Sequence, residues 1–276
     1  MPDAIDPAYL ATAVEAVIHA GDVQIARVGG QKRIEKKGVI DLVTETDREI
    51  EEDFRALISA RFPGHEVLGE EFSPTGDRQR VPEFCWLFDP IDGTTNFAHG
   101  LPIFCSSLAL EINGEAVVAA VYDPNRRELF TAERGAGAWL NGAPMRVTSE
   151  ARLIDSLLCT GFPYDVQQRP EELVGLFGHF LGISRAVRRL GSAAIDLCYV
   201  AASRLDGFWE MHLGPWDIAA GALIVSEAGG RVTGTDGRPF ASRRGNVLAS
   251  NGAIHEQMLG AIAEFETRFR SRNWTE

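Results

Sequence analysis

The stretch Phe84-Cys85-Trp86-Leu87-Phe88-Asp89-Pro90-Ile91-Asp92-Gly93-Thr94-Thr95-Asn96-Phe97 decides the reading of this chain. Its first five residues are apolar and largely aromatic, the pattern of a buried strand. Pro90 breaks that run, with one carboxylate on either side of the break. Gly93 and two hydroxyls follow, which is helix-start chemistry. The strand end therefore delivers hard oxygen donors, Asp89 and Asp92, either to one cation or to two. Magnesium favours such oxygens and keeps room in its shell for water and phosphate oxygens. The free N–H groups of a helix beginning at Gly93-Thr94-Thr95 favour an anion such as phosphate. The plain alternative is an acidic turn with Asp or Thr as helix cap. It suffices for a bare pair of acids, but less well for strand, acids, glycine and two threonines together.

Working outward, 276 residues suffice for one large domain or two halves. The formal net charge of −12 argues against general nucleic-acid or anionic-membrane binding, which wants a basic surface. It leaves a phosphorylated substrate open, because bound divalent cations reverse the local sign of an acidic site. Cys85, Cys105, Cys159 and Cys198 are widely spaced among apolar or small residues, with no CxxC pair, so they read as buried free thiols of a cytoplasmic protein. No signal peptide and no run of transmembrane length is expected. The six histidines form no metal-type spacing, and neither a GxSxG elbow nor a Walker loop occurs.

Toward the N-terminus, Asp6-Pro7 opens a helix with apolar residues at helical spacing up to Gly29-Gly30. Lys32, Arg33, Lys36 and Lys37 form a basic cluster after it. Thr46 and Glu49 have capping-box spacing for a second helix, which places Asp47 in its first turn. A carboxylate is favoured there in any case, so Asp47 taken alone reads as structural. Val67-Leu68-Gly69 then runs as a short strand into Glu70-Glu71. After Phe97, residues 106–112 and 116–122 read as strands joined by an Asn113-Gly114 hairpin turn, with another at 128–132. The first half thus reads as two helices on an antiparallel sheet.

From about residue 153 strands and helices alternate, which suggests an α/β second half. Strands are expected at 157–160, 185–190, 207–211 and 246–250, and helices at 171–181, 194–204, from Pro215 to Gly229, and near the C-terminus. Gly191-Ser192-Ala193 offers a further anion-binding helix start, with plain capping as its alternative. Asp217 again sits in a first helical turn. The expected division is 1–150, an α+β half with most of the acidic ligands, and 151–276, an α/β half that completes the site.

These residues together resemble the inositol monophosphatase family. The resemblance rests on Asp89-Pro90-Ile91-Asp92-Gly93-Thr94-Thr95-Asn96-Phe97, on Trp216-Asp217-Ile218-Ala219-Ala220-Gly221 running on to Glu227-Ala228-Gly229-Gly230, on residues 41–47, and on Gly69-Glu70-Glu71, all in the family's order. It implies a mixed α+β fold, a layered α/β/α/β/α sandwich shared with fructose-1,6-bisphosphatase. It also implies a Mg²⁺-dependent, lithium-sensitive, homodimeric phosphoric monoester hydrolase with two or three ions per site. By resemblance, Glu70, Asp89 and the Ile91 carbonyl hold one ion; Asp89, Asp92 and Asp217 hold a second; a third lies near Glu70. Asp47, Glu70 and Thr94 serve catalysis, with Asp47 and Thr94 activating water. Asp92, Gly93, Thr94, Ala193 and Glu210 meet phosphate or substrate, and Lys36 matches a basic position near the site. Inositol 1-phosphate is the favoured substrate. Histidinol phosphate and other sugar or nucleotide phosphates, including amino-alcohol esters, are the alternatives. A regulatory protein-binding role in RNA polymerase or ribosomal RNA processes is the reading from a different class. No basic pocket for a second phosphate is evident in the sequence.

Overall fold

The computed structural model describes residues 5–30, 34–36, 42–73, 80–163 and 166–272. The basic cluster Lys32, Arg33 and Lys37, together with Asp41, lies outside these residues. Lys36 is described only as backbone, at the end of β1 (Ile34–Lys36), which pairs antiparallel with β2 (Leu42–Thr44).

The deciding stretch forms β4 (Phe84–Asp92), the second strand from one edge of a seven-stranded sheet. The sheet order is β3 (Glu66–Gly69), β4, β5 (Cys105–Ile112), β6 (Glu115–Asp123), β7 (Glu128–Glu133), β8 (Gly137–Leu140) and β9 (Ala143–Pro144). The β3–β4 pair is parallel, which corrects the expected all-antiparallel sheet; the remaining pairs are antiparallel. The β5–β6 hairpin turns at Asn113 and Gly114, both at positive φ, as the Asn-Gly pair predicts.

Pro90 does not end β4 as the sequence suggested. The strand continues to Asp92 with a register shift against β5 between Asp89 and Asp92. A proline inside a sheet belongs at such an irregularity, because it cannot donate to the ladder. The Pro90 carbonyl is instead satisfied by Gln24 Nε2 at 2.7 Å and Ser106 Oγ at 2.8 Å. The local irregularity is what brings two acids three residues apart to one edge of the fold.

Strand alternation then builds the layers. Trp86 and Phe88 of β4, Leu108 and Leu110 of β5, and Val118 and Ala120 of β6 face α1 (Pro7–Arg27) and α2 (Glu45–Arg61). Cys85, Leu87, Ala109, Ala119 and Val121 face the other way, onto α5 (Ala193–Ala201) and α6 (Pro215–Glu227). Those two helices are apolar nearly all round, as befits helices sandwiched between sheets. Their far side packs on Cys159, Phe208, Val247 and Ala249 of a five-stranded sheet. That sheet runs β11 (Ala186–Arg188), β10 (Leu157–Thr160), β12 (Gly207–Glu210), β14 (Val247–Ser250) and β13 (Arg231–Thr233), with β10 parallel to both neighbours and β14 antiparallel to both of its own. Its outer face, with Leu158, Trp209 and Leu248, is covered by α4 (Pro170–Ile183) and α7 (His255–Arg272). The result is a helix–sheet–helix–sheet–helix sandwich. The change of sheet falls between Pro144 and Leu157, and the middle core takes side chains from both sheets. The short α3 (Thr94–His99) follows β4 directly.

Candidate active site

Four chain segments aim five acids at one end of the sandwich. Glu70 is the first residue after β3, Asp89 and Asp92 close β4, Glu210 closes β12, and Asp217 lies in the first turn of α6. All five line a single cavity of about 400 Å³, together with Ile91, Gly93, Thr94, Thr95 and Ala193. Asp47, from the first turn of α2, stands one hydrogen bond behind: Thr94 Oγ1 donates to the Ile91 carbonyl at 2.9 Å and lies 3.4 Å from Asp47 Oδ1. The ten residues given metal, catalytic or substrate roles above, Lys36 aside, are thus gathered at one place.

The local reasons differ from residue to residue. Asp47 and Asp217 are both third residues of their helices. Each accepts the N–H of the residue that opens the helix, Thr44 at 2.9 Å and Gly214 at 2.6 Å. The capping box of α2 is therefore Thr44 with Asp47, two residues earlier than Thr46 with Glu49. Capping fixes each carboxylate by one oxygen and leaves the other to face the site. Asp89 Oδ1 accepts the Ile91 N–H at 2.9 Å.

Asp92 is tied most firmly. Ser192 Oγ donates to it at 2.6 Å, the Ala194 N–H at 2.7 Å and the Ala193 N–H at 3.3 Å. The anion held at the start of α5 is thus the protein's own Asp92. Gly93, which links Asp92 to α3, has φ +93°, and a Cβ there would come within 2.9 Å of the Ile103 carbonyl. Only glycine fits, because both the backbone and the space refuse a side chain.

Burial and mutual repulsion raise these acids. Asp89 is pushed well above the usual carboxylate range, by burial first and then by Glu70, Asp92, Asp217 and Asp47. Asp217 is raised in the same way, by burial and then by Glu70 and Asp92. Asp92, raised by burial, reaches only about 6, since the hydrogen bonds from Ser192, Ala193 and Ala194 favour its charged form. Glu210 rises to about 8, by burial and the neighbouring Asp196, against the opposing charge of Arg189.

So many acids in one cavity are costly unless a cation joins them or protons neutralise them. The donor set, all oxygen and all anionic, fits a hard divalent cation. Among the described residues no three acids are drawn closely enough to form a finished cage. The acids ring the cavity rather than meeting at a point.

Several lining residues were not singled out from the sequence. Arg189 is the one arginine or lysine among the described lining residues. It supplies a basic side chain that the sequence reading did not single out. Asp196 is 1% exposed, and its Oδ1 has no hydrogen-bond partner. An acid inside the apolar run Ala193-Ala194-Ile195-Asp196-Leu197-Cys198 was the available signal. Gly161 packs so tightly on Glu210 that a Cβ would fall 2.0 Å from Oε2.

A layered sandwich with buried acids from both sheets meeting around a glycine–threonine helix start is the architecture of a phosphatase, a phosphoric monoester hydrolase. The comparisons agree. Residues 7–267 match the profile described as the inositol monophosphatase family, and the chain belongs to that family. It is 44% identical over 256 residues to an inositol-1-monophosphatase of Synechocystis sp., covering 92% of this chain and 88% of that protein. It is 40% identical to the Nus factor SuhB of Pseudomonas aeruginosa, covering 83% of this chain and 85% of that one. The solved inositol monophosphatase from Anabaena superposes with a TM-score of 0.84 at 39% identity, covering 93% and 96% of the two chains. The family is metal-dependent and acts on small phosphorylated compounds. No helix among the described residues is long and apolar enough to cross a membrane.

Proposed function

We propose that this phosphatase hydrolyses the phosphate monoester of a small polyol, inositol 1-phosphate foremost, using Mg²⁺. One observation carries the reading: acids from β3, β4, β12 and α6 line one cavity beside the Gly93-Thr94 turn, with Asp47 behind it. Glu70, Asp89 and the Ile91 carbonyl would hold one ion, and Asp89, Asp92 and Asp217 another, with a third near Glu70. When bound, Mg²⁺ lowers the pKa of the attacking water and offsets charge on the phosphoryl and leaving oxygens.

The chain's own groups do the rest. Thr94 Oγ1, held between Asp47 and the Ile91 carbonyl, orients the water and passes its proton toward Asp47. Gly93 and Thr94, at the start of α3, present backbone N–H groups to phosphoryl oxygens. Asp92, fixed by the start of α5, couples β4 to the middle helix layer at the reacting centre. Glu210 and Ala193 form the wall that meets the polyol, with Glu210 accepting or donating to its hydroxyls. The same family likeness supports lithium inhibition, a cytoplasmic location and a homodimer.

The test is phosphate release from inositol 1-phosphate, histidinol phosphate and fructose 1,6-bisphosphate, with Mg²⁺ and after chelation. Inositol 1-phosphate should be the best substrate, with release abolished by chelation and inhibited by lithium. Release unchanged by chelation, or absent from every ester, refutes the reading. Relatives named Nus factor SuhB favour a second reading, a regulatory contact with a transcription protein. An inactive protein that still binds such a partner would support it.

A further inference from the structure

A second pair of charges, Glu51 buried and Arg55 half-buried, lies against the segment that carries Glu70, and the chemistry above makes no use of it. Glu51 of α2 is fully buried. Its Oε2 accepts the Glu71 N–H at 2.7 Å, and its Oε1 lies 3.3 Å from the Phe72 N–H. Arg55, one helical turn on, donates to the same Oε1 from Nε at 2.9 Å and from Nη2 at 2.7 Å. Arg55 then reaches past Glu51 to the segment itself, with Nη1 on the Val67 carbonyl at 3.1 Å and Nη2 on Ser73 Oγ at 3.0 Å. Ser73 Oγ in turn accepts the Gly69 N–H at 2.9 Å. A Cβ on Gly69 would sit 2.3 Å from Glu51 Cδ and Oε1, so strand end and carboxylate touch.

Apart from the Arg55–Glu51 pair itself, each of these bonds lands on the segment 67–73 that carries Glu70. Gly69 precedes it, Glu71 and Phe72 follow it, and Val67 and Ser73 close the segment. Holding α2 against β3 does not require this arrangement. Burying the Glu51 carboxylate costs desolvation, and an apolar side chain of similar size often serves stability as well or better. The segment after β3 is a turn, and its Phe72 is 42% exposed, so packing alone holds it weakly. A carboxylate on a loosely held turn loses ordering entropy each time it must meet a ligand.

We propose that buried Glu51 and half-buried Arg55 form a clamp that presets Glu70 for divalent-cation binding, as positioning residues of the phosphatase site. The inference rests on the metal-dependent reading above. Ser73 completes the clamp by relaying Arg55 to the Gly69 N–H. The clamp acts on the affinity for the ion, and the chemical step at saturating ion is left nearly intact.

The test uses the full chain, with Mn²⁺ binding followed by electron paramagnetic resonance alongside Mg²⁺-dependent turnover and melting of the metal-free protein. Glu51→Gln can satisfy either the Glu71 N–H or the Arg55 side with its one oxygen, and should weaken Mn²⁺ binding about tenfold or more. Ser73→Ala changes no charge and should weaken it about threefold, a smaller version of the same effect. In both variants kcat at saturating Mg²⁺ should stay within about twofold of wild type, while the Mg²⁺ concentration needed rises. Wild-type Mn²⁺ affinity in both variants, with only a lower melting temperature, overturns the clamp. Should Glu51→Gln fail to fold, Ser73→Ala decides alone. A wild-type protein that binds no Mn²⁺ overturns the metal-dependent reading itself and the clamp with it.

Discussion

Replacing Glu210 with Gln should make the metal-free protein more stable near neutral pH, and the size of the effect follows from the site. Glu210 is buried against Gly161 and raised from 4.5 to about 8, by burial first and then by Asp196. In the unfolded chain the same group titrates near the ordinary value. Between these two pH values the folded chain therefore holds a proton that the unfolded chain has released. Stability falls as pH rises through that window, by about 1.4 kcal/mol for each pH unit. From about pH 4.5 to about pH 7 the loss assignable to Glu210 is roughly 3 kcal/mol. Gln carries no charge and escapes it. Denaturant unfolding of chelated wild type and Glu210→Gln, across that pH range, isolates the contribution from those of Asp89 and Asp217, which both proteins share. The stability difference should be near zero at the acid end and grow toward neutrality in favour of Gln. A difference that does not vary with pH refutes the claim that Glu210 is a buried, proton-holding acid.

The other predictions concern turnover. Asp92→Asn keeps the shape that α5 holds but removes a charge, and should lower kcat/KM at limiting Mg²⁺ by at least about 100-fold, more than an outer hydrogen-bond partner would; near-normal turnover excludes the ligand role. Gly161→Ala forces Glu210 aside, and should cost roughly 10- to 100-fold in kcat/KM for inositol 1-phosphate. A simple aryl phosphate, which offers no hydroxyls to Glu210, should lose far less, and equal losses for both esters would show that Glu210 does not read the polyol. Asp47→Asn should slow turnover about 100-fold or more, with Mn²⁺ binding nearly unchanged. Loss of Mn²⁺ binding would instead make Asp47 a ligand.

Much of the site was legible because its chemistry is packed into short runs. The aromatic strand, the paired acids and Gly93 stand within one stretch, which β4 and the start of α3 carry. What local reading missed depends on contacts made at a distance. Pro90 looked like a strand end, because the sequence does not show that Gln24 and Ser106 satisfy its carbonyl. The capping box slipped by two residues because Thr46-x-x-Glu49 and Thr44-x-x-Asp47 carry the same spacing, and only tertiary structure makes Asp47 face Thr94. Strands β1, β2, β8, β9 and β13 are two to four residues long, too short for a period of two to register. The parallel β3–β4 pairing and the insertion of Asp92 into the start of α5 are long-range facts. Arg189 was read only as part of a strand, and the cavity it lines is assembled from segments over a hundred residues apart in the chain.

The most direct measurement is anomalous diffraction from crystals of the protein soaked in Mn²⁺. If the acids gather around divalent ions, peaks should lie in the cavity, with Asp89 bridging one near Glu70 and the Ile91 carbonyl and one near Asp92 and Asp217. Peaks bound only at other surfaces, or an empty cavity at a Mn²⁺ concentration that supports turnover, would contradict it.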